Sequence, residues 1–194
     1  LACLVLAIAG AGFIAGCSNP TRSRDLANPN VSSLTIAQQV CSSCHGMTCT
    51  AVSPNFPNLA GQTPAYLVAQ LKGFKSHGRQ DPAGFEYMWG LSRSLTDEQI
   101  AGLAAYYANQ QPLRQPVEGN ESRMPAGQMI FEGGVPAKSI PACTACHGAA
   151  GLGRETFPRI PGRHSDYILK QLRVFHGTNQ RPEGTLMQTG AHER

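Results

Sequence analysis

Two Cys-x-x-Cys-His motifs, Cys41-Ser42-Ser43-Cys44-His45 and Cys143-Thr144-Ala145-Cys146-His147, each open a stretch of sequence that the chain uses twice. FPNLAGQTPAYLVAQLKGF follows the first and FPRIPGRHSDYILKQLRVF the second. Tyr66 thus matches Tyr167, Gln70 matches Gln171 and Phe74 matches Phe175, at an offset of 101 residues. Such self-similarity demands two copies of one folding unit in series. Neither copy is long enough to bury a comfortable core unaided, and units of that size usually need a staple such as a metal or cofactor.

The motif itself supplies a staple. Two thiols spaced by two residues on a helical turn fit addition across the two vinyl groups of a haem, and the adjacent imidazole then faces the iron. The expectation is two covalently bound haem c groups, attached through Cys41, Cys44, Cys143 and Cys146, with His45 and His147 as axial ligands. Zinc is the rival reading, but it wants four protein ligands and each motif brings Cys, Cys and His alone. Cys49 offers a fourth ligand in the first repeat, and nothing equivalent follows His147. A redox dithiol of the thioredoxin type needs a βαβ context that the chain lacks.

Composition fits short helices joined by loops: 21 Gly and 14 Pro in 194 residues, with no strand-rich run. The clearest predicted helix runs from Thr96 to Ala108, with Gln99 completing a capping box and Leu95 placed to staple onto Ile100. Its apolar stripe is Ile100, Leu103, Ala104 and Tyr107. Leu67, Leu71 and Phe74 repeat at helical spacing, as do Ile168, Leu172 and Phe175. The organisation expected is all-α. Residues 34–111 form a first haem domain, 112–124 a polar linker and 125–194 a second haem domain that ends before a counterpart of the Thr96 helix.

Each iron then needs a sixth ligand. Met88 and Met187 fall 43 and 40 residues after their proximal histidines and are the candidates. His77, His176 and His192 are the alternatives; His77 and His176 end amphipathic segments, where a solvated histidine is expected. Met47, Met124 and Met129 read as core filler. Pro57 and Pro158 mark loops whose backbone carbonyls are placed to orient the proximal imidazoles. Arg79 and Arg181 are weak candidates for propionate partners, since exposed arginines seldom act so specifically.

Residues 1–16, LACLVLAIAGAGFIAG, carry no charge and read as the core of an export signal. Ile14-Ala15-Gly16-Cys17 resembles a bacterial lipobox, which would anchor Cys17 through lipid; cleavage beside a small residue is the alternative. Cys3 reads as a small hydrophobe within the signal, and residues 18–33 as a flexible tether. The protein is therefore expected in the periplasm. A net charge of +4 without clustering gives no reason to expect nucleic-acid binding.

FPNLAGQ with YLVAQLKGF, LTDEQIAGLAAYYA and GGVPAKSIPACTACHG together resemble the dihaem cytochrome c4 family over residues 34–194. The resemblance implies two class I cytochrome c folds related by a pseudo-twofold axis, the second lacking its C-terminal helix in this chain. It implies His–Met ligation at each iron, His45 with Met88 and His147 with Met187. It also implies neighbouring haems that exchange single electrons between redox proteins: a donor dehydrogenase or quinol-oxidising complex, and an acceptor such as a terminal oxidase. The alternatives are the dihaem subunit of a larger dehydrogenase, such as one oxidising sulfide, and a dihaem peroxidase. Two departures stand out. Ile36 and Val40 replace the small-plus-aromatic pair seen as Gly127 and Phe131, which predicts a looser helix crossing in the first repeat. Cys49 stands where a glycine would be unremarkable and is expected to be a free, reactive thiol.

Overall fold

The capping box expected at Thr96 builds the best-anchored helix of the chain. Thr96 Oγ1 accepts from the Gln99 N–H while Gln99 Oε1 accepts from the Thr96 N–H, and the helix runs Asp97–Ala108. The computed structural model describes residues 23–82, 84–113, 121–177, 181 and 184–191. Among them the regular elements are helical, with only two isolated bridges, Val135 to Ile140 and Arg154 to Phe157.

The first repeat holds α1 (Ser33–Ile36), a π-helical stretch Ala37–Cys41, α2 (Ser42–His45), α3 (Pro64–Lys75), a second π-helical stretch Gly84–Met88, α4 (Trp89–Ser92) and α5 (Asp97–Ala108). The second repeat holds α6 (Met124–Gly133), α7 (Thr144–His147), α8 (Ser165–Gly177) and α9 (Thr185–Gly190). α5 packs across both α1 and α3, and its predicted stripe, Ile100, Leu103, Ala104 and Tyr107, is buried in the core with Ile36, Leu67 and Leu95. Burying such side chains from water contributes about 1.5–3 kcal/mol each for the large aliphatic residues.

The crossing of α1 on α5 is closer than expected. A Cβ on Gly102 would lie 2.2 Å from Ser33 Oγ, and that hydroxyl donates to the Gln99 carbonyl at 3.2 Å. The small pair that lets the helices approach is Ser33 with Gly102, so Ile36 is free to fill the core instead. The segment expected as a tether is likewise ordered at its C-terminal end. Val31 is buried in the core, Ser32 caps α1, and Gln99 Nε2 donates to the carbonyls of Asn28 and Val31. Residues 1–22, with Cys3 and Cys17, lie outside the described residues, as does His192.

Cys49 is a free cysteine, but it is buried, whereas a reactive thiol needs exposure. Its φ of 60° places it in the left-handed region, matched in the second repeat by Gly151 at φ +65°. Its carbonyl accepts from the N–H groups of Leu59 and Ala60, and its side chain is buried in the core. Burial pushes the thiol's pKa up, away from the thiolate that reacts. Alkylation of the native holoprotein followed by peptide mapping should leave Cys49 unmodified, and modification should appear only after denaturant is added.

The methionines read as core filler are exposed. Met47 is 67% exposed in the turn after α2, and on α6 Met129 is 73% exposed and Met124 half-exposed. No residue of α6 is buried, and the buried apolar cluster lies wholly in the first repeat among the described residues.

Candidate functional site

Each Cys-x-x-Cys-His motif sits on one helical turn, so sequence spacing becomes spatial alignment. α2 carries Cys44 and His45 with Cys41 just ahead of it, and α7 carries Cys146 and His147 with Cys143 as its N-cap. All four thiols are unpaired with one another. Burial raises the pKa of the Cys41 and Cys143 side chains. Among the described residues no cluster of three or more His, Cys, Asp or Glu is arranged to hold a metal ion.

The two histidines are held alike. His45 Nδ1–H donates to the Pro57 carbonyl at 2.9 Å, and His147 Nδ1–H donates to the Pro158 carbonyl at 2.8 Å. Both imidazoles are buried, and burial lowers the pKa of His45, so its ring is neutral near pH 7. Each hydrogen bond fixes the tautomer and leaves Nε2 as the atom with a free lone pair, the condition a metal-binding imidazole needs. A phenylalanine meets each ring edge-on: Phe56 against His45 at 6.2 Å and Phe157 against His147 at 6.3 Å between centroids. The sequence shows this pair as the repeated Phe-Pro, although its role as a ring support is visible only in space.

The candidate sixth ligands occupy matching places of unequal length. Gly84 and Gly184 lie against Phe74 and Phe175, so close that a Cβ would meet the rings at 3.1 and 2.0 Å. Met88 follows four residues later on the π-helical stretch, whereas Met187 follows three residues later on the α-helical α9. The wider turn absorbs the extra residue, and π turns of this kind recur at functional sites. His77 is not the solvated histidine expected. It has φ 60°, its ring stacks on Phe85 at 5.5 Å and on Trp89 at 4.8 Å, and its Nε2 is buried without a partner. His176 is exposed at the end of α8.

Arg79 and Arg181 are buried at the junction of the repeats, not exposed. Arg79 Nε donates to Asp81 Oδ1 at 2.6 Å, and Arg79 NH1 donates to Gln70 Oε1 at 2.6 Å. Arg181 NH2 donates to the same Gln70 oxygen at 3.0 Å, and Arg181 NH1 donates to Gln171. The matched pairs Gln70/Gln171 and Arg79/Arg181 therefore meet, and each arginine also lies over its own phenylalanine, Phe74 or Phe175, at 4.4 and 4.3 Å. Arg181 Nε and Gln171 Nε2 are buried donors without acceptors. Such orphans are costly, about 1–3 kcal/mol each, unless an acceptor such as a carboxylate fills the place.

Further contacts tie the repeats together, none of which the sequence announced. Asn58 Nδ2 donates to the Gly162 carbonyl at 2.8 Å, Thr63 Oγ1 to the Glu155 carbonyl at 2.6 Å, and His164 Nε2–H to the Ala51 carbonyl at 2.8 Å. Gln62 and Arg163, which occupy the same place in the two copies, each reach into the other copy's loop. Burial and the neighbouring charge of Arg159 push Arg163 down to about 10, which leaves it charged at neutral pH.

Known proteins match this arrangement. The cytochrome c family pattern matches residues 34–111. Cytochrome c-552 of Acidithiobacillus ferridurans is 42% identical over 137 residues, 70% of this chain, which spans 60% of that protein's length. Cytochrome c4 of Thiocapsa roseopersicina is 35% identical over 161 residues, covering 81% of this chain and 80% of the relative. A thiosulfate dehydrogenase electron acceptor of Thiomonas intermedia is 33% identical, covering 70% of this chain and 62% of the relative. The solved structure of Acidithiobacillus ferrooxidans cytochrome c4 superposes with a TM-score of 0.69 at 40% identity, over 78% of this chain and 87% of that one.

Proposed function

The chain belongs to the dihaem cytochrome c4 family, whose members carry two covalently bound haem c groups, and on that premise we propose that it ferries single electrons between redox proteins. The observation that carries this reading is the duplicated proximal arrangement: a buried imidazole, its Nδ1–H spent on a proline carbonyl, one helical turn from two thiols.

The residues divide the work. Cys41 and Cys44, and Cys143 and Cys146, would supply the thioether sulfurs; His45 and His147 would present Nε2 to the iron, and Met88 and Met187 would supply its second thioether ligand. The bound haem supplies an iron that cycles between two oxidation states. Ligation by methionine would raise the potential and leave no place on the iron for a substrate, as suits a carrier of electrons. A peroxidase would need an open sixth position, against which each repeat offers a methionine. The orphan donors Arg181 Nε and Gln171 Nε2 suit the carboxylate oxygens of a propionate, which would also offset the arginine charge buried between the repeats.

Similarity to an electron acceptor of thiosulfate dehydrogenase favours one second reading, in which the chain is the dihaem partner of a dehydrogenase rather than a freestanding carrier. Export to the periplasm, with Cys17 as a lipid anchor, completes the proposal. No helix among the described residues is long and apolar enough to cross a membrane. Two low-spin, one-electron waves of equal amplitude at positive potential are expected when the purified holoprotein is titrated and followed by its absorption spectrum. A high-spin component, or a wave at strongly negative potential, would exclude His–Met ligation at one iron. Co-purification of a dehydrogenase in stoichiometric amount would favour the second reading over the first.

A further inference from the structure

Each proximal hydrogen bond has a neighbour that comes from the other repeat. In the second repeat the contacts run through a single peptide group. His147 Nδ1–H donates to the Pro158 carbonyl at 2.8 Å, and the N–H of that same peptide, belonging to Arg159, donates to Gln62 Oε1 at 2.6 Å. Gln62 Nε2 then donates to the Arg159 carbonyl at 3.2 Å. Gln62 belongs to the first repeat and is buried. In the first repeat the visitor is Arg163, also buried, which donates to the carbonyl of Asn58 and, at 3.2 Å, to that of Ala60. Asn58 directly follows Pro57, whose carbonyl takes the His45 Nδ1–H at 2.9 Å. The same place in the two copies thus holds an acceptor for one proximal loop and a cation for the other.

These two visitors act in opposite senses. A peptide whose N–H is hydrogen-bonded has a more negative carbonyl oxygen, so bonds in a chain strengthen one another. Gln62 therefore strengthens the His147 bond, makes that imidazole a better electron donor, and favours ferric iron. A guanidinium on the carbonyls beside Pro57 draws electron density away from that loop and adds positive charge to the segment that holds His45, which would favour ferrous iron. We infer that Gln62 and Arg163 are positioning residues that act across the repeat boundary, each setting the reduction potential of the haem in the other repeat, and with opposite sign. The inference rests on His45 and His147 being the iron ligands.

The test uses the full holoprotein. Proton NMR of the reduced state locates the Nδ1–H of each proximal histidine, and NMR through a redox titration assigns each potential to its haem. Wild-type protein lacking two such resonances would defeat the ligand assignment itself, an outcome distinct from any failure of the variants. Gln62→Ala is expected to raise the potential of the second haem and move the His147 resonance, with the first haem unchanged. Gln62→Glu, which keeps an acceptor oxygen, is expected to bring that potential back to or below the starting value. Arg163→Met is expected to lower the potential of the first haem and move the His45 resonance, and Arg163→Lys, which keeps the charge, to recover part of the shift. Both haems moving in the same direction in either variant, as a loosened interface would produce, overturns the inference. So does a folded variant that moves only the haem of its own repeat, or neither.

Discussion

Replacing Met88 with alanine is expected to open the first haem to carbon monoxide and to lower its potential, while the second haem keeps its spectrum. Met88 closes a π-helical turn anchored by Gly84, where a Cβ would lie 2.7 Å from the Arg79 carbonyl and 3.1 Å from Phe74. The turn cannot slide to bring another residue forward without lifting that glycine from its seat. The other methionine near the motif, Met47, is largely exposed. Removing the thioether should move the potential by a substantial part of the roughly 0.8 V range over which axial ligands tune haem. His77 is the competitor, since its Nε2 is buried and unpartnered between the rings of Phe85 and Trp89. An unchanged spectrum and potential in Met88→Ala would transfer the role to another residue, and a paired His77→Ala would then be the variant that opens the iron.

The largest effect on stability is expected at Asp81. Its carboxylate is 1% exposed and takes both Arg79 Nε at 2.6 Å and Arg79 NH2 at 3.3 Å. Asp81→Ala leaves that guanidinium buried with its Nε uncompensated. Stranding one partner of a buried pair costs about 3–5 kcal/mol, whereas exchanging both partners for apolar residues is often close to neutral. Chemical denaturation of the holoprotein should therefore show a large loss for Asp81→Ala and a much smaller one for the double variant Arg79→Met with Asp81→Leu. Because Gln70 Oε1 accepts from both Arg79 and Arg181, the single variant should also loosen the contact between repeats, seen as faster hydrogen exchange in α3 and α8. Equal losses in the single and double variants would show that the pair is held for packing and not for charge compensation.

What the sequence displayed was what short-range chemistry decides. The capping box of α5 needs only Thr96 and Gln99, three residues apart, and its core stripe needs only helical periodicity. The hydrogen bonds from His45 to Pro57 and from His147 to Pro158 were legible because the motif and the repeated Phe-Pro lie close along the chain. Burial decided by contacts between distant segments was not. Arg79 and Arg181 read as exposed because nothing nearby in sequence tells that α3 and α8 meet and enclose them. Cys49 looked like an unexplained thiol because its left-handed backbone and its place in the core appear only once the turn closes. Met124 and Met129 looked like filler because an apolar side chain carries no sign of whether another element will cover it. Gln62 and Arg163 gave one faint signal, polar side chains at the same place in both copies, but their opposite hydrogen-bonding roles come from geometry alone.

The widened turn ahead of Met88 also has a bearing on how the two copies have diverged. After a gene is duplicated, an inserted residue usually damages a unit by shifting everything downstream. Here the extra residue between Gly84 and Met88 is taken up within the helix itself, while the glycine keeps its seat against the phenylalanine as it does in the other copy. The two copies therefore differ in length here while each glycine stays against its phenylalanine. Deleting one residue between Phe85 and Tyr87 amounts to converting the first copy to the pattern of the second, which makes this short stretch a natural place to exchange loops between the two halves.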